Sequence, residues 1–385
     1  MKKSTSYLLS SLAVISALSA RAADPQVGSG EVDGYKIVWQ DLFDGESLDL
    51  QNWNIEVNGN GGGNNELQFY TDEPTNVHVG DDGEGNSCLI LTARREYYKG
   101  RGVTSGRVNS QKKVNFTHGK IEAAIKLPKT ADGLWPAFWM MGDDYAEVGW
   151  PRCGETDIME MGNSTGINSG CQERYFNGAC HWGQGWPNAS YAKALNSRYS
   201  LQDGEYHLFT LIWNETGYKM YLDLDRDPKT NPYYAMDCPM TEPDNEWSPG
   251  NYFHKPNFIL FNLACGGDFT GIHSVADITA LNEENDYQQS MYINYVKIYQ
   301  KGEDNETLSY VSYPTSGIEN MESVKDNGGI QLGSTSVSAP APLTLWNLDG
   351  VKVAHSEAGE IALDGLHSGI YIARSGDAAR KISVK

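Results

Sequence analysis

Three carboxylates, Glu155, Asp157 and Glu160, fall within six residues of the stretch Trp150–Gly162, interleaved with apolar side chains. In an extended strand successive side chains point to opposite faces. Glu155 and Asp157 then share a face, while strict alternation sends Glu160 to the other, beside Thr156 and Ile158. One extra residue between Asp157 and Glu160, a β-bulge, brings Glu160 back, and bulges are frequent beside active sites because they re-aim a side chain. With the bulge absorbed, Glu155 and Glu160 are about four strand steps apart, roughly 13 Å between Cα atoms. Side chains leaning together close that to roughly 5–6 Å between carboxyls, against the ~5–5.5 Å of a glycosidase that retains anomeric configuration. Asp157, lying between them, is placed to hydrogen-bond one carboxylate and keep the two pKa values apart. Spacing alone leaves two plainer readings open, a solvated acidic face and a calcium site.

The net charge of −20 over 385 residues disfavours nucleic acid, anionic lipid and sulfated polysaccharide as partners. Neutral polymers suit it better. Residues 1–22 read as a signal peptide: Lys2-Lys3 precede an apolar run over Tyr7–Leu18, and Ala20-Arg21-Ala22 offers a small-x-small cleavage site. The run is too short to span a membrane, so no membrane insertion is expected and the protein is read as secreted or cell-surface. Export permits disulfides. Of the six cysteines, Cys171 and Cys180 flank a short loop and are the best candidate pair, whereas Cys88 and Cys265 sit in apolar runs and read as small buried hydrophobes. No pair has zinc-ligand spacing.

From residue 23 to about 302 the chain reads as all-β. Runs such as Cys88–Ala93, Lys120–Leu127, His207–Trp213, Phe258–Ala264 and Met291–Tyr299 are separated by Gly, Asn, Asp and Pro clusters. So many short strands point to a two-sheet β-sandwich, whose curved face offers a groove to a polymer. Residues 303–342 read as a linker and 343–385 as a small separate β-domain, with Asp349-Gly350 as a hairpin turn. Trp135 and Trp139 point one way along an extended run and could stack on sugar rings, although aromatics at such spacing more often fill a core.

Several motifs occur in a telling order: Trp39-Gln-Asp-Leu-Phe43, Gly63-Asn-Asn-Glu-Leu-Gln68, Thr104-Ser-Gly-Arg107, Leu134-Trp-Pro-Ala-Phe-Trp-Met140 and Gly154-Glu-Thr-Asp-Ile-Met-Glu160. With Asn262-Leu-Ala-Cys-Gly-Gly267 and Asn294-Tyr-Val-Lys-Ile-Tyr299 they resemble glycoside hydrolase family 16, in its laminarinase-like endo-β-1,3-glucanase branch, over roughly residues 35–300. The resemblance implies a concave β-sandwich jelly roll that cleaves β-glycosidic bonds with retention. By motif it implies Glu155 as nucleophile, Glu160 as acid/base and Asp157 as their electrostatic assistant. It further implies Asn65, Arg107, Trp135 and Trp139 around the cleaved sugar, and His181-Trp182 near the acid/base. The bulged Glu-x-Asp-x-x-Glu spacing separates the chain from strict mixed-linkage lichenases, which resemble it less. A lichenase-type enzyme and a catalytically inactive, lectin-like glycan binder are the alternatives.

The chain also departs from the pattern. Cys171–Cys180 resembles an insert, Phe269 stands where family members often have tryptophan, and Asn294 where many have an aspartate calcium ligand. No cofactor is required on this reading, and structural calcium stays unassigned. A β-glucan substrate and a monomer are expected. The C-terminal stretches Leu343–Val353, Leu366–Arg374 and Lys381–Lys385 resemble sorting domains of the bacterial type IX secretion system, which implies the secretion machinery as a partner.

Overall fold

The computed structural model describes residues 34–310 except 241–244, and 330–384 except 333–334, 348–351, 364–365, 367–368 and 377. The signal-peptide reading lies outside these residues, as does the Asp349-Gly350 turn. The chain divides into two compact units, Met1–Val311 and Ser312–Lys385.

The first unit is a β-sandwich. One sheet runs, strand beside strand, Ala189–Asn196, Tyr175–Trp182, Glu155–Met161, Leu134–Gly142, Asn257–Cys265, Arg107–Asn109 and Asn54–Ile55. The other is built around Gly119–Lys126 and the long strand Gln288–Gln300, with His207–Asn214 and Ser87–Arg94 beside them. The apolar alternate residues of both sheets meet in one core. In it the Phe138 and Phe261 rings stack at 4.8 Å and Trp53 packs on Phe261 at 5.9 Å. Full burial of one such ring contributes about 2–3 kcal/mol. The described α-helices are single turns of four or five residues, as expected of a sequence with no sustained 3.6-residue period.

The bulge is there. Facing Leu134–Gly142, the register passes from Phe138 opposite Met159 to Trp139 opposite Asp157, so Ile158 is the extra residue. Facing Tyr175–Trp182, Asp157 pairs with Ala179 and Glu160 with Asn177, again three residues against two. Ile158 and Met159 both enter the core, with Met161 after them. Glu155 and Glu160 are thereby opposite Met141 and Ala137, the four strand steps that the spacing demanded. Two glycines bracket this strand at positive φ. Gly154 lies against the Tyr252 carbonyl, and a Cβ on Gly162 would stand 2.0 Å from the Leu134 oxygen, so no side chain fits there.

Three expectations change. Thr307–Tyr310, read as linker, is a strand paired with Val114–Thr117, so the first unit extends past residue 302. The Glu306 carboxylate accepts from the backbone N–H groups of Lys301, Gly302 and Glu303, giving this polar stretch a local structure that its composition hides. Gln331–Leu332 and Ser336–Ser338 likewise form strands, in a small sheet with Glu360–Ala362. The rest of the second unit is the sheet Lys352–Ser356, Leu343–Asn347, Gly369–Ser375 and Ala378–Val384, packed with a core that includes Leu345, Ile361, Tyr371 and Ile382. Cys171 and Cys180 are not bridged. All six cysteines are buried free thiols, and Cys180 lies in the main core, where its alternation along the strand puts it.

Candidate active site

Glu155, Asp157 and Glu160 share the face of the bulged strand Glu155–Met161 turned away from the core, while Thr156, Ile158, Met159 and Met161 point inward. Glu160 is held from both flanks. The Trp135 indole N–H donates to its Oε1 at 3.1 Å, and the Asn177 amide donates to its Oε2 at 2.9 Å. Burial raises the pKa of all three carboxyls, and the neighbouring negative charges add to the effect on Glu155 and Asp157. Arg107 and a hydrogen bond from Trp150 act the opposite way on Glu155 and favour its ionised form. Three carboxyls so placed cannot all carry charge, which gives the cluster a proton to transfer at neutral pH.

Donor atoms of Glu155, Asp157 and His181 lie within 4.8 Å of one another. His181 Nε2 stands 3.5 Å from Asp157 Oδ2. The Asn188 amide donates to the Ala189 carbonyl at 3.0 Å, which orients it, and the same nitrogen faces His181 Nδ1 at 3.3 Å. Nδ1 is therefore the acceptor. Burial lowers the His181 pKa, so the ring is neutral with its proton on Nε2, toward Asp157.

On one flank of the bulged strand the polar groups are wired together. Arg107 Nε donates to Glu56 Oε1 at 2.9 Å, and Asn109 donates to the same oxygen. The guanidinium lies 4.8 Å from the centre of the Trp139 ring, whose indole donates to Asn262 Oδ1 at 2.7 Å. Trp135 stacks on Phe269 at 4.4 Å and 12°, the residue standing where the resemblance leads one to expect tryptophan. Asn65, at φ 57°, ties its amide to Asp268 beside Phe269 and so supports the Trp135 stack from the rim.

The expected residues therefore come together, with His181 beside Glu155 and Asp157 where it was expected near Glu160, and with one exception. Trp182 follows His181 and alternation turns it inward; it packs on Phe253 in the core, and its indole donates to the Trp247 carbonyl. Glu56, Asn177 and Asn262 were missed. Asn177 was legible, since it sits four residues before His181 and shares its face. Glu56 and Asn262 come from strands distant in sequence and carried no local signal. Asn294, the position considered for calcium, donates its amide to the Ser87 carbonyl at 2.9 Å. No metal is assigned there.

The profile of Glycosyl hydrolases family 16 matches residues 60–239. A solved Bacteroides ovatus mixed-linkage glucan GH16 structure, in complex with a G4G4G3G product, is 41% identical, with a TM-score of 0.59, and covers 68% of this chain and 100% of its own. The glucan endo-1,3-beta-glucosidase of Cryptopygus antarcticus is 34% identical over 60% of this chain and 81% of that protein. Glucan endo-1,3-beta-glucosidase A1 of Niallia circulans is 30% identical over 70% of this chain, which spans 38% of that longer protein.

Proposed function

Since the chain belongs to glycosyl hydrolase family 16, we propose that it is an endo-acting β-glucanase cleaving β-1,3-glucan and mixed-linkage β-1,3-1,4-glucan with retention of configuration. One observation carries the reading: the bulge at Ile158 gathers Glu155, Asp157 and Glu160 on one buried face, with Glu160 held between two N–H donors. A glycan binder has no use for two buried carboxyls that oppose each other's charge.

Glu155, whose burial-raised pKa Arg107 and the Trp150 hydrogen bond partly offset, attacks the anomeric carbon as its carboxylate. The C1–O bond breaks as Glu160 gives its proton to the leaving oxygen. Asp157 stands between the two glutamates, its Oδ2 3.5 Å from His181 Nε2 and its own pKa raised by burial and by Glu155 and Glu160, and assists them electrostatically. Water then adds to C1 of the glycosyl-enzyme, losing its proton to Glu160 and restoring both carboxyls. The mixed-linkage part rests on the 41% identical structure, and the 1,3-linked part on the two glucosidases named above. On this reading the enzyme works outside the cell, on polymers too large to enter.

Purified protein is to be incubated with laminarin, lichenan, agarose and carrageenan while reducing ends and the first anomer formed are followed. Release from laminarin and lichenan with retained configuration is expected, as is loss of turnover by about 10⁴-fold or more in Glu155→Gln. Release from agarose or carrageenan alone, or an inverted first product, sinks the reading.

A further inference from the structure

Across the catalytic strand from Arg107 the sheet ends in two strands, Tyr175–Trp182 and the edge strand Ala189–Asn196. Their register puts Asn177 beside Ala194, Ala179 beside Ala192 and His181 beside Ser190 on the catalytic face. The opposite face carries Tyr191 and Leu195, which pack on the core. The outer flank is thus floored by Ala192, Ala194 and Ser190, all small and exposed. Beside that floor Asn177 is 92% buried by its 8% exposure, and its Oδ1 has no hydrogen-bond partner although its Nδ2 holds Glu160. A buried acceptor left unpaired costs stability, and one beside a catalytic acid has an evident partner in the bound substrate.

We propose that Asn177 is a positioning and specificity residue for the leaving sugar. Its Nδ2 orients Glu160, and its Oδ1 accepts a hydroxyl hydrogen from the departing glucosyl ring as that ring lies over Ala192 and Ala194. The location follows from chemistry, because the group that protonates the leaving oxygen must lie within hydrogen-bond reach of the departing sugar. Glu160 is that group in the glucanase reading, on which this inference rests. Asn177 itself makes and breaks no covalent bond. Small side chains on the floor leave the ring room, and the amide supplies the polar contact that fixes its rotation.

The test contrasts two leaving groups. A 2,4-dinitrophenyl β-oligoglucoside needs neither proton donation nor a sugar on the outer flank in its first step, whereas β-glucan needs both. In Asn177→Ala, kcat/KM for β-glucan is expected to fall about tenfold to a hundredfold, the scale of one hydrogen bond to a charged group. For the dinitrophenyl substrate it is expected to change less than about threefold. The alkaline limb of the β-glucan profile moves to higher pH, because the lost N–H favoured the Glu160 carboxylate. Asn177→Asp, which keeps an acceptor and adds a negative charge beside Glu160, moves that limb further the same way and serves if the alanine variant does not fold. Equal losses on both substrates, or an unmoved alkaline limb, overturn the proposal. Wild-type protein that leaves every β-glucan intact refutes the glucanase reading instead, before Asn177 is in question.

Discussion

The two flanks of the bulged strand Glu155–Met161 are built on opposite principles. On the inner flank Arg107, Glu56, Asn109, Trp139 and Asn262 form a chain of charge-assisted and indole hydrogen bonds, each group placed by another. On the outer flank Ser190, Ala192 and Ala194 present small exposed side chains, and Asn177 keeps an acceptor in reserve. A sugar that must be held while its anomeric carbon reacts benefits from a preorganised site, since positions fixed in advance need no reordering in the transition state. A sugar that must leave benefits from a shallow one. The bulge of the strand between the flanks lets Glu160 take one hydrogen bond from each side.

Deleting Ile158 breaks this arrangement most severely. Without the extra residue, period two turns either Glu160 or the Glu155–Asp157 pair into the core, and turnover should fall to background by reducing-end assay. If the deletion variant retains even a hundredth of wild-type activity, the bulge does not hold the pair together. Next in size is Arg107→Ala, which leaves Glu56 without its cation and Trp139 without its neighbour. A loss of about 10²-fold in kcat/KM is expected on glucan and dinitrophenyl glycoside alike, in contrast to the Asn177 variant. Selective loss on glucan alone would erase the distinction between the flanks.

The smallest effect is on stability. Folding raises the pKa of Glu155, Asp157 and Glu160, so the folded state binds more protons than the unfolded chain. Their contribution is fully present below the ordinary carboxylate range and is lost as pH rises through the raised folded values. Glu155→Gln removes a buried ionisable group that repels its neighbours when it ionises. At neutral pH it should melt about 2–4 °C above wild type, with a flatter decline of melting temperature toward alkaline pH. A lower melting temperature would mean that Glu155 is favourably paired in the resting protein.

Much of this site was legible before folding was considered. Period two and the six-residue span of Glu155, Asp157 and Glu160 required a bulge, and the register places it at Ile158. The same rule, applied to His181, excludes its neighbour Trp182 from the site and admits Asn177, although the resemblance had implied Trp182 near the acid/base. Local pattern failed for Thr307–Tyr310, whose polar residues form a strand only because Val114–Thr117 offers an edge. It failed for Cys171 and Cys180 too, since sequence proximity says nothing about which face a thiol takes.

The amino-acid sequence alone determined the all-β class and offered a one-sided carboxylate cluster conditional on a bulge, because side-chain alternation is a property of the backbone at each residue, and the strand register supplied that bulge. The tertiary structure decided which strands flank that cluster. Trp135 on one side and Asn177 on the other come from separate strands, and Glu56 reaches Arg107 across 51 positions of chain. Such pairings depend on the order of strands in the sheet, set by packing of the whole core and not by any short stretch. The charge state and aim of Glu160 therefore belong to the folded molecule, although the spacing of the three carboxylates is visible in six letters of sequence.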